Sequence, residues 1–456
     1  MQPYSPERRT ALVLCGTGAH GAYHAGVLRA LQEAGVKIDV MAGQGIGAAG
    51  AALAAIDGAS RLWDAGGLWR RPQVAQLYRW KWPLRVAVLL TPVLAVACLA
   101  PLLLTVFAVP AAVAWIPLIV FGVVALVLVG GAVAEQRRSP AKRRADGAWW
   151  WRIVGAPLDA DAARDFFTRS ISDLIRGAPA AGSETSGFVA SGLSRTLPEL
   201  GRRYSEVLSD SLGQPGFREL MIVATDLDSR RDIVAALLQE PYRREFLAPR
   251  TDGERRSEVL DLAGSGRDHA LDLVAAALTP PVACDPQMVT FAPDSFWRGE
   301  THRLCDRPGA VTRLLEELAA AGVSQAIIVS AVPAPSAAHR LSPARLDLRH
   351  RLGEFLAASE SAARRDALEV ARLRFDSVYL ICPAHNPVGA FDFSGAYDEA
   401  SDRRQDVVEL MERAYDDAYR RFIEPVVGAS GEHLARVAPA RHDEGAGMVD
   451  DADSLR

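Results

Sequence analysis

Val40-Met41-Ala42-Gly43-Gln44-Gly45-Ile46-Gly47-Ala48-Ala49-Gly50 is the stretch that decides the fold. Its apolar start reads as the end of a buried strand, and the glycines read as a tight turn. The small residues after Gly45 read as a helix able to pack closely on a sheet. Strand, sharp turn and helix in this order are the setting of a G-x-S-x-G nucleophile elbow, whose central residue points its side chain at the substrate. Here the central residue is Gly45, which has no side chain to point.

Upstream, Ala11-Leu12-Val13-Leu14-Cys15 reads as a buried strand, followed by Gly16-Thr17-Gly18-Ala19-His20-Gly21. A helix is expected over Ala22 to Ala34, ended by Gly35, then a second strand over Val36 to Met41 and a second helix over Ala48 to Ile56. Strand–helix–strand–helix at this spacing implies a parallel, right-handed unit. The glycine loop also matches G-x-G-x-x-G, with Asp39 downstream, which suggests a dinucleotide site. In such a site the acid closes the second strand. Here Val40 and Met41 carry the apolar run past Asp39, and the second glycine turn goes unused.

The 456 residues suffice for one large or two ordinary domains. A net charge of -4 supplies no basic field for nucleic acid. The five cysteines, Cys15, Cys98, Cys284, Cys305 and Cys382, have neither metal-ligand spacing nor the even count of a disulfide framework. They suit a reducing compartment, and no metal or cofactor is expected. Met1 to Arg9 is polar, without the apolar core of a signal peptide.

From Val86 to Ala134 there is no charged residue and no histidine. The run is too long for one span, since a helix crosses the hydrocarbon core in about 20 residues. Two spans are expected, near Val86–Phe107 and Ala112–Val133, with Pro110 and Trp115 near the turn. A buried core hairpin is the competing reading, although core helices rarely run this long without a polar face. Arg70, Arg71, Arg79, Lys81 and Arg85 precede the run, and Arg137, Arg138, Lys142, Arg143 and Arg144 follow it. Positive flanks on both sides place both ends in the cytoplasm, at an inner or plasma membrane. Trp149, Trp150 and Trp151 suit either the headgroup level or a protein groove.

Taken together, Leu12 to Leu28 and Asp39 to Gly47 resemble the patatin-like phospholipase family, which opens with a glycine-rich oxyanion loop and helix and then the G-x-S-x-G elbow. Val223-Ala224-Thr225-Asp226-Leu227-Asp228-Ser229 is similar to a later strand and turn of that family. The resemblance implies an α/β, three-layer fold with a central, mostly parallel sheet, here with the two-helix transmembrane hairpin inserted. It implies lipid acyl hydrolysis as the ancestral activity and membrane lipid as the partner. It also implies an oxyanion loop at Gly16, Thr17, Gly18 and Gly21.

The chain departs from the family at Gly45, where the serine belongs, and at Thr17 and His20, where a glycine and a basic residue are usual. The catalytic aspartate is expected at Asp306, in Leu304-Cys305-Asp306-Arg307-Pro308-Gly309, although Asp306 followed by Pro308 also fits a helix N-cap. Asp392 is a reserve candidate. Cys15 and Thr17 are the nearest replacement nucleophiles, and His20 and His24 the nearest bases; His20 also suits an anionic head group. The expected function is therefore a membrane-anchored hydrolase relative, impaired in catalysis, that binds lipid or a partner in the former active site. An active hydrolase with a relocated nucleophile and a membrane scaffold without lipid recognition are the alternatives.

The expected organisation is residues 1–80 for the first part of the α/β domain, 81–152 for the hairpin and its flanks, 153–435 for the remainder and 436–456 for a disordered tail. Helices are expected over Leu158 to Gly177, Leu271 to Leu278 and Ser401 to Pro425, with a loop over Gly177 to Leu193 and a late strand over Ser377 to Pro383.

Overall fold

The computed structural model describes residues 4–82, 155–176, 193–248, 255–293, 295–334, 348–398 and 401–428, with scattered positions between 84 and 130. In chain order its strands include β1 (Thr10–Gly16), β2 (Val40–Gly45), β3 (Arg79–Trp80), β4 (Leu158–Asp159), β5 (Glu219–Asp226), β6 (Arg231–Leu237), β7 (Ser257–Asp261), β8 (Gln287–Thr290), β9 (Thr301–Cys305), β10 (Gln325–Ser330) and β11 (Ser377–Ile381). Among the described residues, nine of these form one sheet in the order β11-β10-β1-β2-β5-β6-β7, with β8 and β9 attached at the end of β5. Neighbours from β11 to β5 are all parallel, and β6 turns back antiparallel to β5. The fold is thus α/β with a central, mostly parallel sheet.

β1 is apolar throughout because both of its faces are covered, as in the middle of any parallel sheet. Leu12 and Leu14 enter the core on one face, Ala11 and Val13 the core on the other. The first core is roofed by α1 (Gly21–Glu33), α2 (Ile46–Ala55), the helix Ala270–Ala277 and the helix Val407–Ala418. The second is roofed by the helices Val311–Ala320 and Leu348–Arg374. α2 lies so close to the sheet that a Cβ on Gly47 would overlap the Leu14 carbonyl oxygen, which is why its sequence is alanine and glycine.

Several boundaries differ from expectation. The second strand starts at Val40, not Val36, and runs on through the glycines to Gly45, with Gly16 opposite Gly45. Asp39 sets the start, because its carboxylate accepts from the Thr10 amide at 2.8 Å and its own amide donates to the Thr10 carbonyl. Leu158 and Asp159 are a strand rather than helix, and the helix begins at Asp161, whose amide donates to the Asp159 carboxylate. The late helix begins at Val407 instead of Ser401, since Asp406 accepts from the Glu409 amide as its N-cap.

The expected spans, Trp149–Trp151, most of the Gly177–Leu193 loop and the 436–456 tail lie largely or wholly outside the described residues. Among the described residues no helix is long and apolar enough to cross a membrane. The two ends of the insertion are nevertheless described. β3 and β4 pair antiparallel, Arg79 opposite Asp159 and Trp80 opposite Leu158, and the Lys81 amide donates to the Pro157 carbonyl at 3.0 Å. Asp285 pins both sides, through the Lys81 ammonium and the Ala156 amide.

Candidate active site

The carboxyl ends of β1, β2 and β10 meet at Gly16, Gly45 and Ser330. Ligands in open α/β sheets gather at this edge. Gly45 joins β2 to α2 with φ +61 and ψ −134, a conformation that side chains rarely adopt and that the turn from strand to helix requires. A Cβ built on Gly45 points at Asp306, 3.0 Å from its Oδ2, and overlaps the Gly16 carbonyl oxygen. The bend aims at an acid, and the neighbouring loop fills the space where a side chain would begin.

Asp306 lies just past β9 and is fully buried. Its amide donates to the Thr279 carbonyl at 2.9 Å. One carboxyl oxygen accepts from the Gln44 amide nitrogen, the other from the Thr17 hydroxyl at 3.5 Å. Burial pushes its pKa up to about 8 despite these donors, with the Glu360 charge adding to the rise, so the group is neutral at pH 7. The carboxyl caps no helix. The turn that follows is led by Arg307, and the helix Val311–Ala320 by Ala310, neither with a side-chain cap. The N-cap reading of Asp306 is therefore corrected.

Gly16, Thr17, Gly18 and Gly21 form the expected loop, a short turn over Gly18–His20 leading into α1. Gly18 has φ +60, and a Cβ there would overlap the Ala390 carbonyl oxygen. That oxygen accepts from the Ala19 amide at 2.8 Å, so one donor of the loop is already occupied by the chain itself. Thr17 is buried beside Asp306.

Neither His20 nor His24 is a surface group. His20 is buried and its Nδ1 meets Glu360 Oε2 at 3.1 Å, which places it against the protein's own carboxylate rather than a head group. His24 Nε2 lies 3.0 Å from the Cys15 carbonyl, and burial lowers its pKa to about 4, so the ring is neutral and acts as a donor within the core. Burial first, then the Glu360 and Asp306 charges, hold the Cys15 thiol far above its ordinary range, which leaves almost no thiolate. Asp392 closes its own turn by accepting from the Gly389 amide at 3.1 Å and has His350 at 3.7 Å.

Glu360 and Arg364 were not singled out in the sequence. They sit one turn apart on the helix Leu348–Arg374 and line a narrow cleft with Cys15, Gly16, Gln44 and Ser330. Arg364 is tied to the Val332 and Pro333 carbonyls and lies 3.4 Å from the Ser330 hydroxyl. The only local signal was two charges spaced four apart among the buried alanines 363, 367 and 371. Among the described residues no group of three or more acidic, histidine or cysteine side chains could hold a metal ion.

The family model described as patatin-like phospholipase matches residues 12–179. No curated protein matches the chain. Among solved structures, VipD from Legionella pneumophila covers 93% of this chain and 67% of its own, at 14% identity and a TM-score of 0.31. The family match spans the glycine loop, the bend at Gly45 and the apolar insertion, and on it residues 12–179 are patatin-like.

Proposed function

We propose that this chain is a membrane-anchored relative of the lipid acyl hydrolases in which Gly45 takes the nucleophile's place, Asp306 is the former dyad acid, and Gly16, Thr17, Gly18 and Gly21 are the former oxyanion loop. Ester hydrolysis is impaired, and the remaining role is recognition of lipid or of a partner. The observation that carries this reading is the Gly45 bend aimed at Asp306 with the Gly16 carbonyl in the space of the missing side chain. Losing such a nucleophile lowers turnover by on the order of 10⁶, and what an oxyanion site and binding retain is about 10³–10⁴ over water. Here Ala390 already occupies one loop amide.

Three observations support anchoring. The insertion is uncharged from Val86 to Ala134. Its described helical residues Ile116, Ile119, Val120, Val123 and Leu126 are exposed despite being apolar. Its two ends are paired neighbours at β3 and β4, as two crossings with basic flanks on one side require. The soluble part then faces the cytoplasm at the inner or plasma membrane.

The test is purified full chain assayed with phospholipid and short-chain esters and with a fluorophosphonate probe. No turnover and no labelling are expected, together with sedimentation with liposomes. Labelling at a defined residue defeats the impaired reading. The Thr17 hydroxyl beside Asp306 favours one second reading, a relocated nucleophile. In that case the probe maps to Thr17.

A further inference from the structure

Beside the root of the insertion, three large apolar side chains stand in the open: Trp82 is 68% exposed, Val282 72% and Met288 40%. Val282 is the unusual one. It occupies the tip of a tight turn, with the Ala283 and Cys284 amides donating to the Pro281 and Pro280 carbonyls, and it has φ +67. A β-branched residue in the left-handed region is a genuine outlier. Such strain persists only where the surrounding structure over-determines it, and it clusters where a protein acts. A glycine or asparagine would relieve it, yet the position presents a bare isopropyl group.

The turn is fixed to the insertion. The Leu158 amide donates to the Ala283 carbonyl at 2.9 Å, and Asp285 holds Lys81 and Ala156. Arg79 and Arg85, both exposed, flank Trp82 along the chain. The turn is equally fixed to the site, because Thr279, at its start, accepts from the Asp306 amide. Apolar tips beside an uncharged chain, with exposed Arg79 and Arg85 close to Trp82 in the sequence, match an anionic bilayer surface. Aromatic and apolar side chains settle at the acyl boundary while Lys and Arg meet the phosphates.

Building on the anchored reading, we infer that the Val282 turn, with Trp82 and Met288, is a second membrane contact that rests on anionic lipid and holds the Asp306 end of the sheet against the bilayer.

The test uses the full chain in a Cys98→Ser background, where the remaining native cysteines are buried or half-buried. Val282→Cys and, separately, Trp82→Cys carry an environment-sensitive fluorophore. Leu373→Cys, 85% exposed on the helix that leads into the start of β11, at the far end of the sheet, is the control. The proteins are reconstituted into phosphatidylcholine vesicles with and without phosphatidylglycerol. The expected result is a blue shift and a several-fold rise in emission at 282 and 82, larger with phosphatidylglycerol and quenched by spin-labelled lipid, with no change at 373. Chain that sediments with vesicles while 282 and 82 behave like 373 overturns this inference alone. Chain left in the supernatant overturns it together with the anchored reading.

Discussion

Gly45→Ser looks like a simple reversion, and the geometry predicts that it fails. Two terms act against it. The backbone at position 45 has φ +61, and holding a side chain there costs about 1–3 kcal/mol. The new Cβ also overlaps the Gly16 carbonyl oxygen, which is backbone held in register between β1 and β2. Forcing atoms into a filled space costs a further ~1–3 kcal/mol. A hydroxyl bonded to Asp306 returns only about 1 kcal/mol. The net loss is a large share of the roughly 5–15 kcal/mol that holds a typical domain folded. Chemical denaturation of wild type, Gly45→Ala and Gly45→Ser in matched detergent measures it; both variants are expected to lose stability because the overlap begins at Cβ, with Gly45→Ala losing about 1 kcal/mol more for want of the hydroxyl. Phospholipid turnover by Gly45→Ser stays at the wild-type level. A Gly45→Ser chain as stable as wild type that hydrolyses ester refutes the reasoning, because the Gly16 carbonyl must then yield without penalty.

Other predictions follow from single groups. Asp306 keeps its proton in the fold up to about pH 8, whereas the unfolded chain loses it near 4. Between those values the unfolded state binds fewer protons, so wild-type stability falls as pH rises. Asp306→Asn lacks that slope, and urea unfolding at pH 5 and pH 8 should show the variant gaining on wild type; parallel slopes count against a buried neutral acid. His24 should titrate near 4 by NMR, with stability falling as pH drops from about 6.5 through that value, and a ring pKa near 6.5 is incompatible with its burial. Gly18→Ala should displace the segment around Ala390, raising amide exchange or protease cleavage between Asn386 and Gly395; unchanged protection would mean that the loop does not touch it.

The first sixty residues were legible because their structure is local. A five-residue apolar run, a glycine loop, a capped helix and a second glycine turn each carry their own signature; β2 slid along the chain at both ends, its start held back to Val40 by the Asp39 bend and its end carried through the glycines to Gly45, where α2 begins. Asp306 was legible as a position. Its orientation was not, because it depends on contacts with Gln44 and Thr17 more than 260 residues away in sequence. The same distance hid Glu360, and with it the burial of His20, which sequence alone leaves free to face solvent. A partner 340 residues off imposes no local pattern on either side chain. Fine structure around Val282 was equally silent, since nothing in Pro280-Pro281-Val282-Ala283 announces a left-handed valine.

Trp80 and Leu158 stand opposite each other in the β3–β4 pair, so the chain leaves the domain and rejoins it at one point. Lengthening such a loop is cheap, about 0.6 kcal/mol for each doubling. No other strand must be rerouted to add it or remove it. A gene could acquire or discard the excursion in one step, and a chain spliced from Trp80 to Leu158 through a short turn would keep the same nine-stranded sheet.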